Sequence, residues 1–284
     1  MKKKVYIIAG PTASGKTHLS LDLAHRVNGQ IINADSIQVY EDVPLLTARP
    51  TAEETQDIPH HLFGYLDAFA VSNACDWLKR LPALVDSIDV PIFVGGTGLY
   101  IKTLMEGLSP IPDIPEEIRN NIRQMSTDEL KQIVPNAKLT DPQRLMRAAE
   151  VLKATGKSLE WWYEQPKTPV LKDVEFFVIT VLPDREKLYS QCNYRFEQML
   201  SFGALRQVVD LLQKNPQKSG GVFQALGVED LIDFIEARQS LDKAIKHAQQ
   251  QTRNYAKRQM TWFRHQLKPD MVLEEAKLPS KFKG

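Results

Sequence analysis

The sequence predicts an α/β fold: a parallel sheet flanked by helices, with a small helical lobe inserted in the chain. Short apolar runs at residues 5–9, 31–33, 90–94 and 175–181 have the length of strands and alternate with helix-like segments. Three prolines at residues 110–115 then break the alternation, because proline continues neither a helix nor a central strand. We therefore expect a core built from residues 1–110 and 170–284 and an inserted lobe at residues 111–169.

The composition limits the possible functions. The chain has 284 residues, 43% apolar and 25% charged, which suffices for one sizeable core and a small second lobe. Its net charge is +1, so any affinity for nucleic acid must come from a local basic patch. The first apolar run is too short for a signal peptide or a membrane span, so we expect a cytoplasmic protein without membrane contact. Cys75 and Cys192 lack metal-ligand spacing and are expected to be incidental thiols.

A phosphate-binding loop is predicted directly after the first strand. Residues 10–17 fit the pattern G-x-x-x-x-G-K-[ST] between a strand and a helix, which indicates a P-loop NTPase-like core. Glycines allow successive backbone N–H groups to face an anion, and the helix that begins at Lys16 adds the positive end of its dipole. Lys16 is expected to reach the outer phosphates, and the Thr17 hydroxyl to bind a bridging Mg²⁺ ion. The predicted phosphate or diphosphate ligands are Gly10, Pro11, Thr12, Ala13, Ser14, Gly15, Lys16 and Thr17.

Further loops are predicted at the same edge of the sheet. The second strand leads into Asp35, at the carboxyl end where α/β proteins place their chemistry, so Asp35 is a candidate general base, magnesium ligand or turn cap. The third strand leads into the glycine-rich turn 95–98, where Thr97 can donate a hydrogen bond to the ligand of the phosphate loop. The adjacent His60 and His61 point in different directions on most backbones, which argues against a shared metal. A place near the phosphates and a structural role both remain open for them.

Capping signals locate the helices. Ser72 is expected to cap a helix that Pro82 bends, while residues 41–70 are expected to be irregular. Residues 126–129 match a capping box, and Asp141 precedes a helix that ends before a glycine. A further helix is expected over residues 184–202.

Two helices carry basic residues in a pattern that suits an anionic partner. Gln143, Arg144 and Arg147 lie in the first turns of one helix, where arginine opposes the dipole; a solvated basic face is the alternative. The last helix is expected over residues 241–267, and the stretch from residue 246 to residue 268 has six lysines or arginines and no acid. Aromatic residues are interleaved there, which is typical of a nucleic-acid contact or of a buried aromatic stripe with basic residues around it.

Seven segments carry signatures in a fixed order: GPTASGKT at 10–17, NADSIQVY at 33–40, PHHLF at 59–63, GGTGLYIKTLMEGLSPIP at 95–112, DPQRLMRAAEV at 141–151, YRFEQML at 194–200 and KRQMTWFR at 257–264. With them the chain resembles the tRNA dimethylallyltransferases, also called tRNA isopentenyltransferases, over nearly its whole length. That family transfers the five-carbon group of dimethylallyl diphosphate to N6 of the adenosine 3′ of the tRNA anticodon and requires Mg²⁺.

The resemblance implies roles for individual residues. Asp35 would be the general base, Thr97 a second catalytic residue, and Arg195 a further ligand of the diphosphate. A monomer that binds the anticodon stem-loop is expected. The implied tRNA contacts are Asp35, Ser36, Ile37, Gln38, Thr97, Arg119, Gln143, Arg144, Leu145, Met146, Arg147, Lys257, Arg258, Gln259 and Arg264.

The chain departs from the family pattern in two places. Residues 227–230 read GVED where the family commonly has G-Y-[KR]-[EQ], and an acid that faces an RNA phosphate would be repulsive. The segment between Arg123 and Asp141 is also shorter than usual, so a less extensive grip on the anticodon stem is expected.

Other functions share part of this sequence pattern. A prenyltransferase that acts on free adenine nucleotides would need the phosphate loop and the base, but not the basic aromatic helix. A small-molecule P-loop kinase would transfer phosphate from ATP, and a non-catalytic RNA-binding protein would leave the mass of tRNA unchanged.

Overall fold

One sheet of parallel strands organises the larger part of the protein. A computed structural model describes residues 2–55, 57–135, 141–282 and 284, and within them the sheet has the order β3-β2-β4-β1-β5-β6. The predicted α/β class is therefore confirmed. The strands are β1 (Lys3–Ala9), β2 (Gln30–Asn33), β3 (His60–His61), β4 (Pro91–Gly95), β5 (Val174–Val181) and β6 (Met271–Leu273).

The central strand is β1, which pairs with β4 on one side and β5 on the other. Helices cover both faces of a parallel sheet, so its central strand is a continuous apolar run rather than an alternating one. Val5, Ile7 and Ile8 accordingly have 0% exposure. All strands point the same way, which brings the loops after β1, β2 and β4 to one edge.

Helices and loops connect the strands. None of the described helices is both long enough and apolar enough to cross a membrane. A short 3₁₀ helix spans Gly221–Gln224. The α-helices are α1 (Lys16–Val27), α2 (Pro44–Thr47), α3 (Ala52–Thr55), α4 (Ala74–Lys79), α5 (Leu81–Asp86), α6 (Gly98–Glu106), α7 (Glu116–Arg123), α8 (Thr127–Ile133), α9 (Pro142–Thr155), α10 (Leu159–Glu164), α11 (Arg185–Ser201), α12 (Ala204–Lys214), α13 (Val228–Ile235) and α14 (Leu241–Gln266).

Two local expectations were wrong. Asn73, not Ser72, caps α4 by accepting a hydrogen bond from the Asp76 N–H, and the hydroxyl of Ser72 instead meets that of Tyr100 at 2.5 Å. Pro82 does not bend one helix; it lies in the first turn of the separate helix α5, where a missing N–H costs nothing. Residues 41–70 are also less irregular than expected, since they contain α2, α3 and β3.

The chain divides into two compact units, Met1–Met105 with Val170–Gly284, and Glu106–Pro169. The smaller unit is a helical lobe with a core of its own, to which Ile122, Leu130 and Leu145 contribute. Its helices start where the capping signals indicated. Ser126 and Glu129 form the capping box, and Asp141 accepts from the Arg144 N–H at 2.8 Å.

Candidate active site

The phosphate loop turns directly from the end of β1 into α1. Gly15 caps α1 with φ 84°, a left-handed conformation that is strained for any residue with a Cβ. The Lys16 ammonium lies back across the loop and donates to the Pro11 carbonyl O at 2.7 Å. Ser14 Oγ is buried and lacks a hydrogen-bond partner. The loop therefore presents a cation and an unpaired hydroxyl next to the N-terminus of a helix, which is an arrangement suited to an anion.

A second cation reaches the loop from α11. The Arg195 guanidinium donates a hydrogen bond to Thr12 Oγ1. Burial lowers the pKa of Lys16 to about 8, an effect that the negative charge of Asp35 opposes and that Arg195 reinforces. Burial also lowers the pKa of Arg195. A multiply charged anion would stabilise the charged forms of these two partly desolvated cations. Its negative charge replaces the favourable interaction with water that burial removed.

Asp35 lies in a turn that the Asn33 side chain stabilises by hydrogen bonds. The buried Asn33 side chain accepts from the Asp35 N–H at 2.9 Å and donates to the carbonyl oxygens of Asp35 and Leu62, each at 3.0 Å. The Asp35 carboxylate accepts from the Ile37 N–H at 3.0 Å and from the Gly96 N–H at 3.3 Å. Asp35 thus caps a turn and at the same time lines the cavity next to the phosphate loop.

Thr97 and Tyr255 are further polar groups near Asp35. Thr97 Oγ1 accepts from the Ser36 N–H at 3.0 Å and lies 3.3 Å from Ser36 Oγ, and Tyr255 lines the cavity. Burial raises the pKa of Tyr255, and the nearby charge of Asp35 adds to the effect. Sequence reasoning missed Tyr255 as a site residue. The signal was the helical spacing of Thr252, Ala256, Gln259, Met260 and Phe263 along α14. In the structure these residues form the buried face of the helix.

The phosphate loop, Asp35, Arg195 and Tyr255 line one cavity of about 600 Å³. Apolar side chains from several elements line the same cavity. Such a cavity can hold an anionic group and an apolar group of the same small molecule. The apolar lining includes Ile37, Leu46, Phe196, Met199 and Leu226.

The predicted site residues fall into three places. Residues 12–17, Asp35 to Gln38, Arg195, Arg258 and Gln259 line the cavity, and Thr97 contacts Ser36 at its edge. Lys257 and Arg264 are exposed on α14. In the lobe, Arg119 donates to the Ile114 carbonyl O at 3.2 Å, Gln143 and Arg144 are exposed, Met146 and Arg147 are half-buried, and Leu145 is in the core.

Gln259 lies in a different setting from the exposed basic residues around it. Its side chain is 6% exposed and its amide is bonded to two loops within the protein. The contact with tRNA that the resemblance implied for Gln259 stays a prediction.

Three further features of the sequence remain to be located: the departure at residues 227–230, the adjacent histidines and the shortened segment. In the departure at residues 227–230, Val228 is buried, while Glu229, the acid at the usually basic position, is exposed in the first turn of α13, so its effect on RNA binding stays a prediction. The next residue, Asp230, is 7% exposed, and its carboxylate hydrogen-bonds His247 Nδ1 at 2.5 Å. His60 and His61 form the edge strand β3, where their rings bond Ile58 O and Gln30 Oε1, each at 2.8 Å. The structural role left open for the histidines is the one observed. Residues 136–140 of the shortened segment lie outside the described residues.

Comparison with known proteins identifies the family. The model of the IPP transferase family matches residues 38–266, and that of the isopentenyl transferase family matches residues 3–70. This chain belongs to the IPP transferase family. The tRNA dimethylallyltransferase of Azorhizobium caulinodans is 40% identical over 96% of this chain and 92% of its own length, and that of Rhizobium etli is 43% identical over 92% and 93%.

Solved structures of the same class share the fold. The tRNA isopentenylpyrophosphate transferase of Bacillus halodurans superposes with a TM-score of 0.71 at 30% identity, over 97% of this chain and 90% of that one. A eukaryotic dimethylallyltransferase acting on tRNA gives a TM-score of 0.81 at 27% identity, over 97% and 74%. The P-loop NTPase-like core predicted from the sequence is the fold of this family.

Proposed function

We propose that this protein transfers the dimethylallyl group of dimethylallyl diphosphate to N6 of the adenosine 3′ of a tRNA anticodon and releases diphosphate. One observation carries the proposal: a phosphate loop with two cations, Lys16 and Arg195, shares a cavity with the carboxylate of Asp35. A cation cluster suits the leaving diphosphate, and a carboxylate suits a proton acceptor. Relatives that match 96% and 92% of this chain are named tRNA dimethylallyltransferase, which supports the transfer to tRNA.

In this reaction the bond between C1 and the diphosphate oxygen breaks, and a bond between N6 and C1 forms. The electron pair leaves with the diphosphate, and the N6 proton passes to Asp35. An exocyclic amine is a weak nucleophile, because its lone pair is delocalised into the ring, so a base that removes the proton lowers the barrier. The N–H groups of the loop, Lys16 and Arg195 stabilise the charge that grows on the leaving group.

The residues present also fit a Mg²⁺ ion bound together with the diphosphate. No cluster of three histidines, cysteines or acids able to hold a metal occurs among the described residues, so the protein supplies few ligands itself. Mg²⁺ commonly binds through one or two protein oxygens and the oxygens of a phosphate substrate. The Thr17 hydroxyl, in the first turn of α1, would be the protein ligand. The bound ion would neutralise charge on the diphosphate.

Exposed basic residues supply the means to hold RNA. Lys257, Arg258 and Arg264 project from α14, and Arg258 stacks over the Tyr255 ring at 5.6 Å. Because the net charge is only +1, this local patch rather than the whole-molecule field would attract tRNA. The target adenine must leave its stack to meet Asp35. The proposal includes a monomer that acts in the cytoplasm.

Mass spectrometry of nucleosides tests the activity. tRNA is incubated with the protein, Mg²⁺ and dimethylallyl diphosphate, digested, and searched for N6-dimethylallyladenosine. For Asp35→Asn we expect a transfer rate about 10² to 10⁴ lower with tRNA affinity within about tenfold, because only the proton acceptor is lost. Retention of most of the rate would refute the role of Asp35.

Parallel incubations address the alternatives. Transfer to free adenine nucleotides with unmodified tRNA would make this protein a nucleotide prenyltransferase. Transfer of phosphate from ATP to a small acceptor would make it a kinase. Neither alternative needs the exposed basic residues of α14, which is why tRNA is the favoured acceptor.

A further inference from the structure

Gln259 lies where α14 passes the carboxyl edge of the sheet, and both polar atoms of its amide are bonded inside the protein. Its Oε1 accepts from the Thr12 N–H at 2.8 Å, and its Nε2 donates to the Gly96 carbonyl O at 2.8 Å. The side chain is nearly inaccessible to solvent. One amide thus joins the phosphate loop to the turn that follows β4.

The bond to Gly96 bears on Asp35. The Gly96 N–H donates to Asp35 Oδ2, so Gly96 is bonded on one side to Gln259 and on the other to the carboxylate. Glycine has more backbone freedom than any other residue, and a bond to its carbonyl removes much of that freedom. A Cβ on Gly96 would lie closer than van der Waals contact to Gln259 Nε2, so the amide would have to move away from its present position.

We propose that Gln259 is a positioning residue that sets the separation between the diphosphate site and the Asp35 carboxylate by joining Thr12 to Gly96. The inference rests on the proposed function, since it gives Gln259 a task in that reaction. N6 must approach C1 from the side opposite the leaving oxygen. The distance between the phosphate loop and the base therefore decides whether both partners of the reaction align.

The rival role for Gln259 is a direct contact with tRNA. A buried amide with its oxygen and nitrogen engaged has little to offer an incoming RNA, whereas Lys257, Arg258 and Arg264 on the same helix are exposed. The two roles differ in what they change. A positioning residue affects the rate at saturation, and an RNA contact affects tRNA affinity.

The test compares two Gln→Met variants on α14. Gln259→Met keeps the length of the side chain and removes both hydrogen bonds. The control is Gln249→Met. It removes hydrogen bonds from Gln249 Nε2 to the Asn193 carbonyl O and to Glu197 Oε1, and these bonds connect α14 to α11 rather than to the loops. Single-turnover transfer to saturating anticodon stem-loop RNA, dissociation constants for the RNA and for dimethylallyl diphosphate, and the melting temperature are measured for each protein.

We expect Gln259→Met to lose about 10- to 100-fold in single-turnover rate, because an error of about 1 Å in the alignment of reacting groups costs up to about 10². Both dissociation constants should stay within about threefold, and Gln249→Met should keep its rate within about twofold. An unchanged rate in Gln259→Met, or an equal loss in both variants, would overturn the proposal. A weakened RNA affinity with an unchanged rate at saturation would assign Gln259 to RNA binding instead.

Amide hydrogen exchange in the free enzyme separates this inference from the proposed function. Faster exchange in the loops at residues 10–17 and 95–98 of Gln259→Met, but not of Gln249→Met, would support the connection even if the wild-type protein failed to modify tRNA. Unchanged exchange in those loops would overturn it. If Gln259→Met melts below the assay temperature, Gln259→Glu serves in its place, since it keeps the acceptor for Thr12 and loses the donor to Gly96.

Discussion

Raising the pH from 7 to 9 is expected to weaken diphosphate binding, because Lys16 loses its charge in that interval. Burial depresses the pKa of Lys16 to about 8. A depressed lysine pKa means that the ammonium form is present below about pH 8 and disappears as the pH rises through that value. The ammonium form is the one that attracts the diphosphate.

The magnitude follows from the fraction of Lys16 that is protonated. With a pKa of about 8, roughly 90% of the ammonium form is present at pH 7 and roughly 10% at pH 9. If only that form binds well, the dissociation constant rises about tenfold, or about 1.4 kcal/mol. A terminal phosphate with a pKa near 6 is already ionised across the interval and contributes little.

Calorimetric titration of the protein with dimethylallyl diphosphate, with EDTA and without tRNA, measures this dependence. Lys16→Arg is the matched control, because its guanidinium remains charged at pH 9 and should give a flat profile. Lys16→Met should bind weakly at every pH and lose far more affinity for diphosphate than for tRNA. A flat wild-type profile, or the same slope in Lys16→Arg, would show that Lys16 does not control the binding.

Two further predictions concern the surface and the stability of the protein. Arg264→Gln should flatten the plot of log tRNA affinity against log salt by up to about 1 unit, or nearer 0.7 for a single-stranded contact; an unchanged slope with a lowered melting temperature would place Arg264 in packing instead. Asp230→Ala should cost about 1 kcal/mol, because its partner His247 remains exposed to water, and should lower the melting temperature by about 2 to 4 °C with the saturated transfer rate unchanged. An unchanged melting temperature in Asp230→Ala would show that the bond to His247 adds no stability.

The phosphate loop could be predicted from the sequence because its chemistry is local. Gly15, Lys16 and Thr17 are neighbours in the chain, and a strand and a helix on either side fix their geometry. The same holds for the capping box at Ser126, whose bonds span three residues.

Other parts of the site depend on contacts that the local pattern does not contain. Gln259 meets Thr12 across 247 positions of the chain, and the sequence indicated a basic aromatic helix without indicating what it packs against. Asp230 is buried because it bonds His247 on the next helix, a contact that the local pattern does not show. Strand β3 has only two residues, too few for a periodicity, and it forms because Ile31 and Ile32 of β2 offer an edge to pair with.

The Asp35 carboxylate is held by main-chain N–H groups, and this has a consequence for how substrate preference can evolve. Ile37 and Gly96 contribute their backbone amides, which would be present whatever side chain stood at position 37. The side chain at position 37 can therefore change without removing the N–H groups that hold the proton acceptor. Gln38 differs, because its amide donates to the Thr47 and Ala48 carbonyl oxygens at 3.2 and 2.6 Å. A library randomised at position 37 should yield variants with altered acceptor or donor selectivity that keep the transfer chemistry, whereas Asn33, whose side chain fixes the turn itself, should tolerate almost no replacement.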